Sequence, residues 1–157
     1  MATSPYSQAP EAFLRTLRAL LETTHRVAAI SGRHIESLGL TPAQFDVLAT
    51  LGDTPGMTCK QLGAGTLITK GTLTGVLDRL EAKGLICRAR GEQDTRQTFV
   101  SLSSEGERVF QETFQPHVDY LGRFFGRMPA ERQAQLVQLL RELEAGFAGE
   151  DEAGVDR

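Results

Sequence analysis

Between positions 11 and 38 the apolar residues Phe13, Leu14, Leu17, Leu20, Leu21, Val27, Ile30 and Ile35 recur at steps of three and four. That spacing stacks them on one face of a long helix. Thr41-Pro42-Ala43-Gln44 starts a second helix, in which Thr41 caps, Pro42 suits the first helical position and Gln44 completes a capping box. Phe45, Val47, Leu48 and Leu51 follow, and Gly52-Asp53-Thr54-Pro55-Gly56 stops it. Thr58-Cys59-Lys60-Gln61 repeats the Thr-x-x-Gln start and predicts a short helix to about Gly65. Thr69 opens a further helix that runs to Lys83 and ends at Gly84. Ser104-Glu105-Gly106-Glu107 reads as a third capping box, opening a long helix with Val109, Phe110, Phe114, Val118, Leu121 and Phe125 at helical spacing. Pro129 begins a last helix with Leu136, Leu139, Leu140, Leu143 and Phe147 on one stripe.

Only one stretch has the period of two. Leu85 to Arg90 and Gln97 to Leu102 flank the turn-like run Gly91-Glu92-Gln93-Asp94-Thr95-Arg96, and Thr98, Val100 and Leu102 alternate with Gln97, Phe99 and Ser101. The predicted order is helix, helix, short helix, helix, hairpin, long helix, helix. The fold class is therefore mainly α with a small β-hairpin wing, a winged helix-turn-helix plus a helical region at both ends of the chain.

Charge adds a location. The 157 residues sum to −3, which excludes a protein that coats nucleic acid by bulk charge. Residues 58–96, however, hold seven basic side chains against four acids, while residues 97–157 hold six against eleven. A basic middle between more acidic ends suggests a polyanion-binding face on a body that repels polyanions elsewhere. Two cysteines, Cys59 and Cys87, are too few for a disulfide framework, and no apolar run approaches a membrane span. A cytoplasmic protein is expected.

The helix beginning at Thr69 carries the function. Leu73, Val76, Leu77 and Leu80 form its buried stripe, leaving Gly71, Thr72, Thr74, Gly75, Asp78 and Arg79 on the opposite face, with Lys70 at its start. Two glycines on an exposed helical face each cost about 1 kcal/mol in propensity. Small residues let a helix approach a surface closely, and Thr hydroxyls with the free N–H groups of the first turn bond phosphates or base edges. The competing explanation for the glycines is close packing against a neighbouring protein helix. In the hairpin, Arg88 and Arg90 share one face, and Arg96 stands at the turn two residues after Asp94. A hairpin arginine suits a narrow minor groove, and a nearby carboxylate orients it.

These segments resemble the MarR family of bacterial transcriptional regulators over nearly the whole chain. The most specific stretches are Leu40-Thr41-Pro42-Ala43-Gln44-Phe45-Asp46-Val47-Leu48 and Gly71-Thr72-Leu73-Thr74-Gly75-Val76-Leu77-Asp78-Arg79-Leu80-Glu81-Ala82-Lys83-Gly84-Leu85-Ile86. The Asp94-Thr95-Arg96 wing and the Leu102-Ser103-Ser104-Glu105-Gly106 exit complete the likeness, although the tip Arg90-Gly91-Glu92-Gln93 lacks the prolines common there. The resemblance implies a homodimer on a short palindromic double-stranded DNA operator, usually a repressor, often released by a small molecule or oxidant. It also implies a pocket between the first, second and long fifth helices for a small aromatic or phenolic acid, with His25 and Arg26 as candidate anion partners.

The expected division is a flexible amino terminus over 1–10, a helical dimerisation region over 11–38 and 104–148, a winged helix-turn-helix DNA-binding domain over 41–103, and a disordered acidic tail over 149–157. Thr69, Lys70, Gly71, Thr72, Thr74 and Arg79 are assigned to the major groove and flanking phosphates. Arg88, Arg90 and Arg96 are assigned to backbone and minor groove, with Asp94 orienting Arg96. Phe13, Leu17, Leu20, Phe114, Leu121, Phe125, Leu139, Leu143 and Phe147 exceed what the small helices can cover and call for a two-fold mate. His25, His34 and His117 lie on helices expected to meet, but no His-x-x-x-His or Cys-x-x-Cys spacing indicates a metal, and no cofactor is expected. Cys59, in a first helical turn, reads as a small half-buried residue, with a dipole-activated redox thiol as the rival reading, and Cys87 reads as packing. No catalytic constellation is visible, so the rival reading is a winged-helix protein-interaction module that never touches nucleic acid.

Overall fold

The computed structural model describes residues 12–90 and 97–148. Among the described residues the elements follow as α1 (Ala12–Ser37), α2 (Pro42–Leu51), β1 (Met57–Thr58), α3 (Cys59–Gly65), α4 (Lys70–Ala82), β2 (Ile86–Arg90), β3 (Thr98–Leu102), α5 (Ser104–Phe125) and α6 (Ala130–Ala145). The described residues form two compact units, one ending at His117 and the other beginning at Val118. The amino-terminal stretch 1–10, the tail 149–157 and the wing tip with Asp94 and Arg96 lie outside the described residues.

Two helix starts form as the sequence predicts. The Gln44 N–H donates to the Thr41 hydroxyl at 3.2 Å while the Thr41 N–H donates to Gln44 Oε1 at 3.1 Å. Thr58 and Gln61 repeat the exchange at 3.2 and 2.9 Å. The third start differs. The capping hydroxyl of α5 is that of Ser103, one residue earlier than expected, accepting from the Gly106 N–H at 3.0 Å and donating to the Gly84 carbonyl at 2.5 Å. Close packing fixes this register: a Cβ on Gly106 would lie 1.8 Å from the Leu85 carbonyl oxygen, so α5 rests its first turn directly on the chain entering β2.

The sheet has three strands in the order β1-β3-β2, all antiparallel. Arg88 faces Val100 and Arg90 faces Thr98 across the hairpin, while Met57 and Thr58 pair with Val100 and Phe99. β1 goes beyond the expected hairpin, because a two-residue strand running straight into a helix cap has no periodicity to read.

The core of the first unit gathers around α2. Val47, Leu48, Leu51, Leu62, Val76, Leu80 and Val100 are fully buried, each contributing about 1.5–3 kcal/mol by removal from water. Leu73, Val76, Leu77 and Leu80 form the inner stripe of α4, as their spacing predicts. α1 commits Ile35 to this core but leaves Phe13, Leu17, Leu21 and Val27 exposed. In the second unit, Gln133 Nε2 donates to the carbonyls of Phe125 and Met128 at 3.0 and 2.9 Å and holds the turn into α6. No residue of α6 is buried, and Leu136, Val137, Leu139, Leu140 and Leu143 stand open. No helix among the described residues is long and apolar enough to cross a membrane.

Candidate nucleic-acid interface

α4 presents the face that its sequence predicts. Thr69 takes the extended N-cap conformation, but its hydroxyl meets that of Thr72 at 3.0 Å instead of capping. The first-turn N–H groups are therefore not closed by that side chain. Lys70, Gly71, Thr72, Thr74, Asp78 and Arg79 are exposed and Gly75 is half-buried. A Cβ on Gly71 would meet nothing within 4 Å, and one on Gly75 only the flexible end of Arg79 at 3.4 Å. Packing within this chain therefore does not account for the glycines.

The turn between α3 and α4 is fixed from α2. The carboxylate of Asp46 accepts the Leu67 N–H at 2.8 Å, 21 positions away in sequence. Thr66 is buried and Ile68 packs against the core, so the chain on either side of Leu67 is held inward.

On the wing, Arg88 reaches back to α4. Its Nη2 lies 2.7 Å from the Asp78 carboxylate and its Nε 3.6 Å from Glu81. Arg88 is thereby engaged with the helix rather than standing free, and any phosphate contact must compete with that pair. The same contact neutralises Asp78, an anion on a face otherwise suited to polyanions. The sequence pattern alone gives Asp78 and Glu81 no role, although two carboxylates one turn apart beside a basic strand are its signal for this contact. Arg90 is exposed at the end of β2.

The three histidines separate. His34 and His117 meet at 3.0 Å between Nδ1 atoms, with His117 Nε2 3.1 Å from the Ser31 hydroxyl and the ring edge-on to Phe45 at 4.8 Å. His25 instead lies with Arg26 in a shallow surface depression whose walls, Glu22, Ala29, Ile30 and Arg33, all belong to α1. The polar group where α1, α2 and α5 meet is Ser31, His34 and His117, with His117 buried and the other two half-buried, and His25 and Arg26 lie apart from it on α1. Among the described residues no three His, Cys, Asp or Glu side chains are grouped to hold a metal. Cys59 is half-buried against the core, while Cys87 is exposed instead of packed.

A three-helix unit whose last helix offers a small, hydroxyl-bearing outer face, braced by a three-stranded wing, defines a winged helix-turn-helix protein. A model of the MarR family matches residues 38–97. The transcriptional regulator HosA of Escherichia coli O157:H7 is 35% identical over 104 residues, covering 66% of this chain and 77% of HosA. The chain belongs to the MarR family of transcriptional regulators. Among solved structures, Sco3205 of Streptomyces coelicolor, a MarR family regulator in complex with DNA, superposes with a TM-score of 0.80 at 24% identity over 93% of each chain. BpsR of Bordetella bronchiseptica, whose DNA binding is regulated by 6-hydroxynicotinic acid, gives 0.73 at 27% identity over 83% of this chain and 98% of BpsR.

Proposed function

We propose that the protein is a ligand-responsive repressor that binds a palindromic double-stranded DNA operator as a homodimer. The observation that carries the reading is the outer face of α4, where Gly71 has open space and Thr69, Lys70, Thr72, Thr74 and Arg79 are exposed together. A face without bulk enters the major groove, and its hydroxyls and cations meet base edges and phosphates. Arg90 and Arg96 extend the contact to backbone and minor groove, Asp94 orients Arg96, and Arg88 holds the wing on α4 or trades Asp78 for a phosphate.

The exposed apolar residues of α1 and α6 support the homodimer, since a two-fold mate is the commonest cover for such stripes. Two copies of α4 about 34 Å apart would then match half-sites one turn apart on one face of DNA. The regulation of BpsR by a small aromatic acid supports an aromatic or phenolic effector here. The deciding experiment is retention of the purified protein on immobilised duplex DNA. Binding should weaken with added salt, and Arg96→Ala should weaken it further with a shallower salt slope. A protein that passes through at low salt is the interaction module instead. A mass in light scattering that stays monomeric at every concentration removes the dimer.

A further inference from the structure

Leu67 is 98% exposed. Every other large apolar residue that stands open among the described residues lies on α1 or from α5 onward; Leu67 alone interrupts an otherwise covered region between Val27 and Val118. A single exposed leucine is unremarkable on a loose surface, but this one is held in place. Its own N–H is bonded to the Asp46 carboxylate at 2.8 Å, and its neighbours Thr66 and Ile68 are drawn into the fold. Three residues later comes the first residue of α4. The turn thus leaves one aliphatic side chain exposed two residues before the exposed Thr69 and three before the exposed Lys70, where the surface proposed for DNA begins.

We propose that Leu67 reads a thymine, packing its isobutyl group against the C5-methyl in the major groove at the margin of the α4 footprint. The inference rests on the operator-binding reading. The thymine methyl is the apolar feature of the major-groove edge, and contact with it is how an aliphatic side chain contributes sequence preference there. Asp46 positions the reader from α2, so the side chain arrives with little backbone freedom left to lose.

The test uses a duplex selected by the full-length protein from a randomised pool, with each thymine replaced in turn by deoxyuridine, which lacks only the methyl. The parent should lose roughly fourfold or more per half-site at one thymine position, the scale of one buried methylene or methyl group. Leu67→Ala should bind the unmodified duplex weaker by a comparable factor, melt at the parent temperature, and show no further loss with deoxyuridine at that position. If Leu67→Ala binds as the parent does, or if the two losses multiply, the assignment is overturned, and an unchanged affinity points the residue to a protein partner. If the parent selects no duplex at all, the operator reading itself falls.

Discussion

The Nδ1 atoms of His34 and His117 face each other at 3.0 Å, with ring centroids 5.2 Å apart. A contact of this kind needs one nitrogen to donate its hydrogen and the other to accept it through its lone pair, so a single hydrogen lies between these two nitrogens. The opposite nitrogen of His117 lies 3.1 Å from the Ser31 hydroxyl. Ser31 and His34 from α1 and Phe45 from α2 touch His117, Phe114 of α5 stacks on Phe45 at 6.4 Å, and the only titratable neighbour of His117 in that set is His34. The tie joins α1 to α5 beside the helix on which the core is built.

His117 is held below the ordinary histidine value of 6.5, first by burial and then by the nearness of His34. The unfolded chain therefore takes up this proton more readily than the folded one. Stability should be unaffected by His117 above about pH 6.5 and should fall as the pH drops below it. Urea melts between pH 5.5 and 7.5 should show the decline, and His117→Gln should flatten it. Equal slopes in both proteins would remove His117 as its source.

Gly71→Ala separates the fold from its use. The open space around that position means a methyl group adds no clash, and exchanging glycine for alanine in a helix stabilises by up to about 1 kcal/mol. Thermal melting should rise or hold, while affinity for a selected duplex should fall several-fold because the added Cβ stands between α4 and the groove. A variant that melts higher and binds equally well would show that close approach at Gly71 is not used.

Which of these features could be seen in the sequence follows from their range. The stripe Leu73, Val76, Leu77 and Leu80 and the caps at Thr41 and Thr58 depend on neighbours within a turn or two, and the chain forms them as its spacing predicts. Ser103 replaced Ser104 as the cap because the carbonyl of Leu85, 21 positions before Gly106, decides how close α5 can lie. Asp46 holding Leu67, Arg88 holding Asp78 and His34 meeting His117 are pairings between distant segments. No local period encodes them. His25 and Arg26, named from likeness alone, stand exposed on α1 and line a depression that α1 walls by itself.

The Arg88–Asp78 contact predicts an effect on binding larger than its effect on stability. Both side chains keep solvent contact, at 23% and 60%, and pairs of that kind contribute about 0–1 kcal/mol to folding. Arg88→Ala should thus melt nearly as the parent, yet bind duplex DNA more weakly, because Asp78 is left as an uncompensated anion on the α4 face. Adding Asp78→Asn should recover part of the loss. Losses that simply add in the double variant would mean that the arginine touches DNA on its own account, independent of the carboxylate.

Gly106→Ala should do the reverse of Gly71→Ala. The new Cβ would sit 1.8 Å from the Leu85 carbonyl, an oxygen that also accepts the Ser103 N–H at 3.0 Å. To relieve the overlap, either α5 or the entry to β2 must move, and the Ser103 cap with its bond to Gly84 moves too. Overpacking of this kind costs about 1–3 kcal/mol, and here the obstacle is backbone, which cannot rotate aside. The denaturation midpoint should fall accordingly. Gly106 is buried and distant in sequence from the α4 outer face, so the fraction that remains folded should bind DNA with the parent's affinity. Unchanged stability in this variant would mean that α5 does not rest on Leu85 as described.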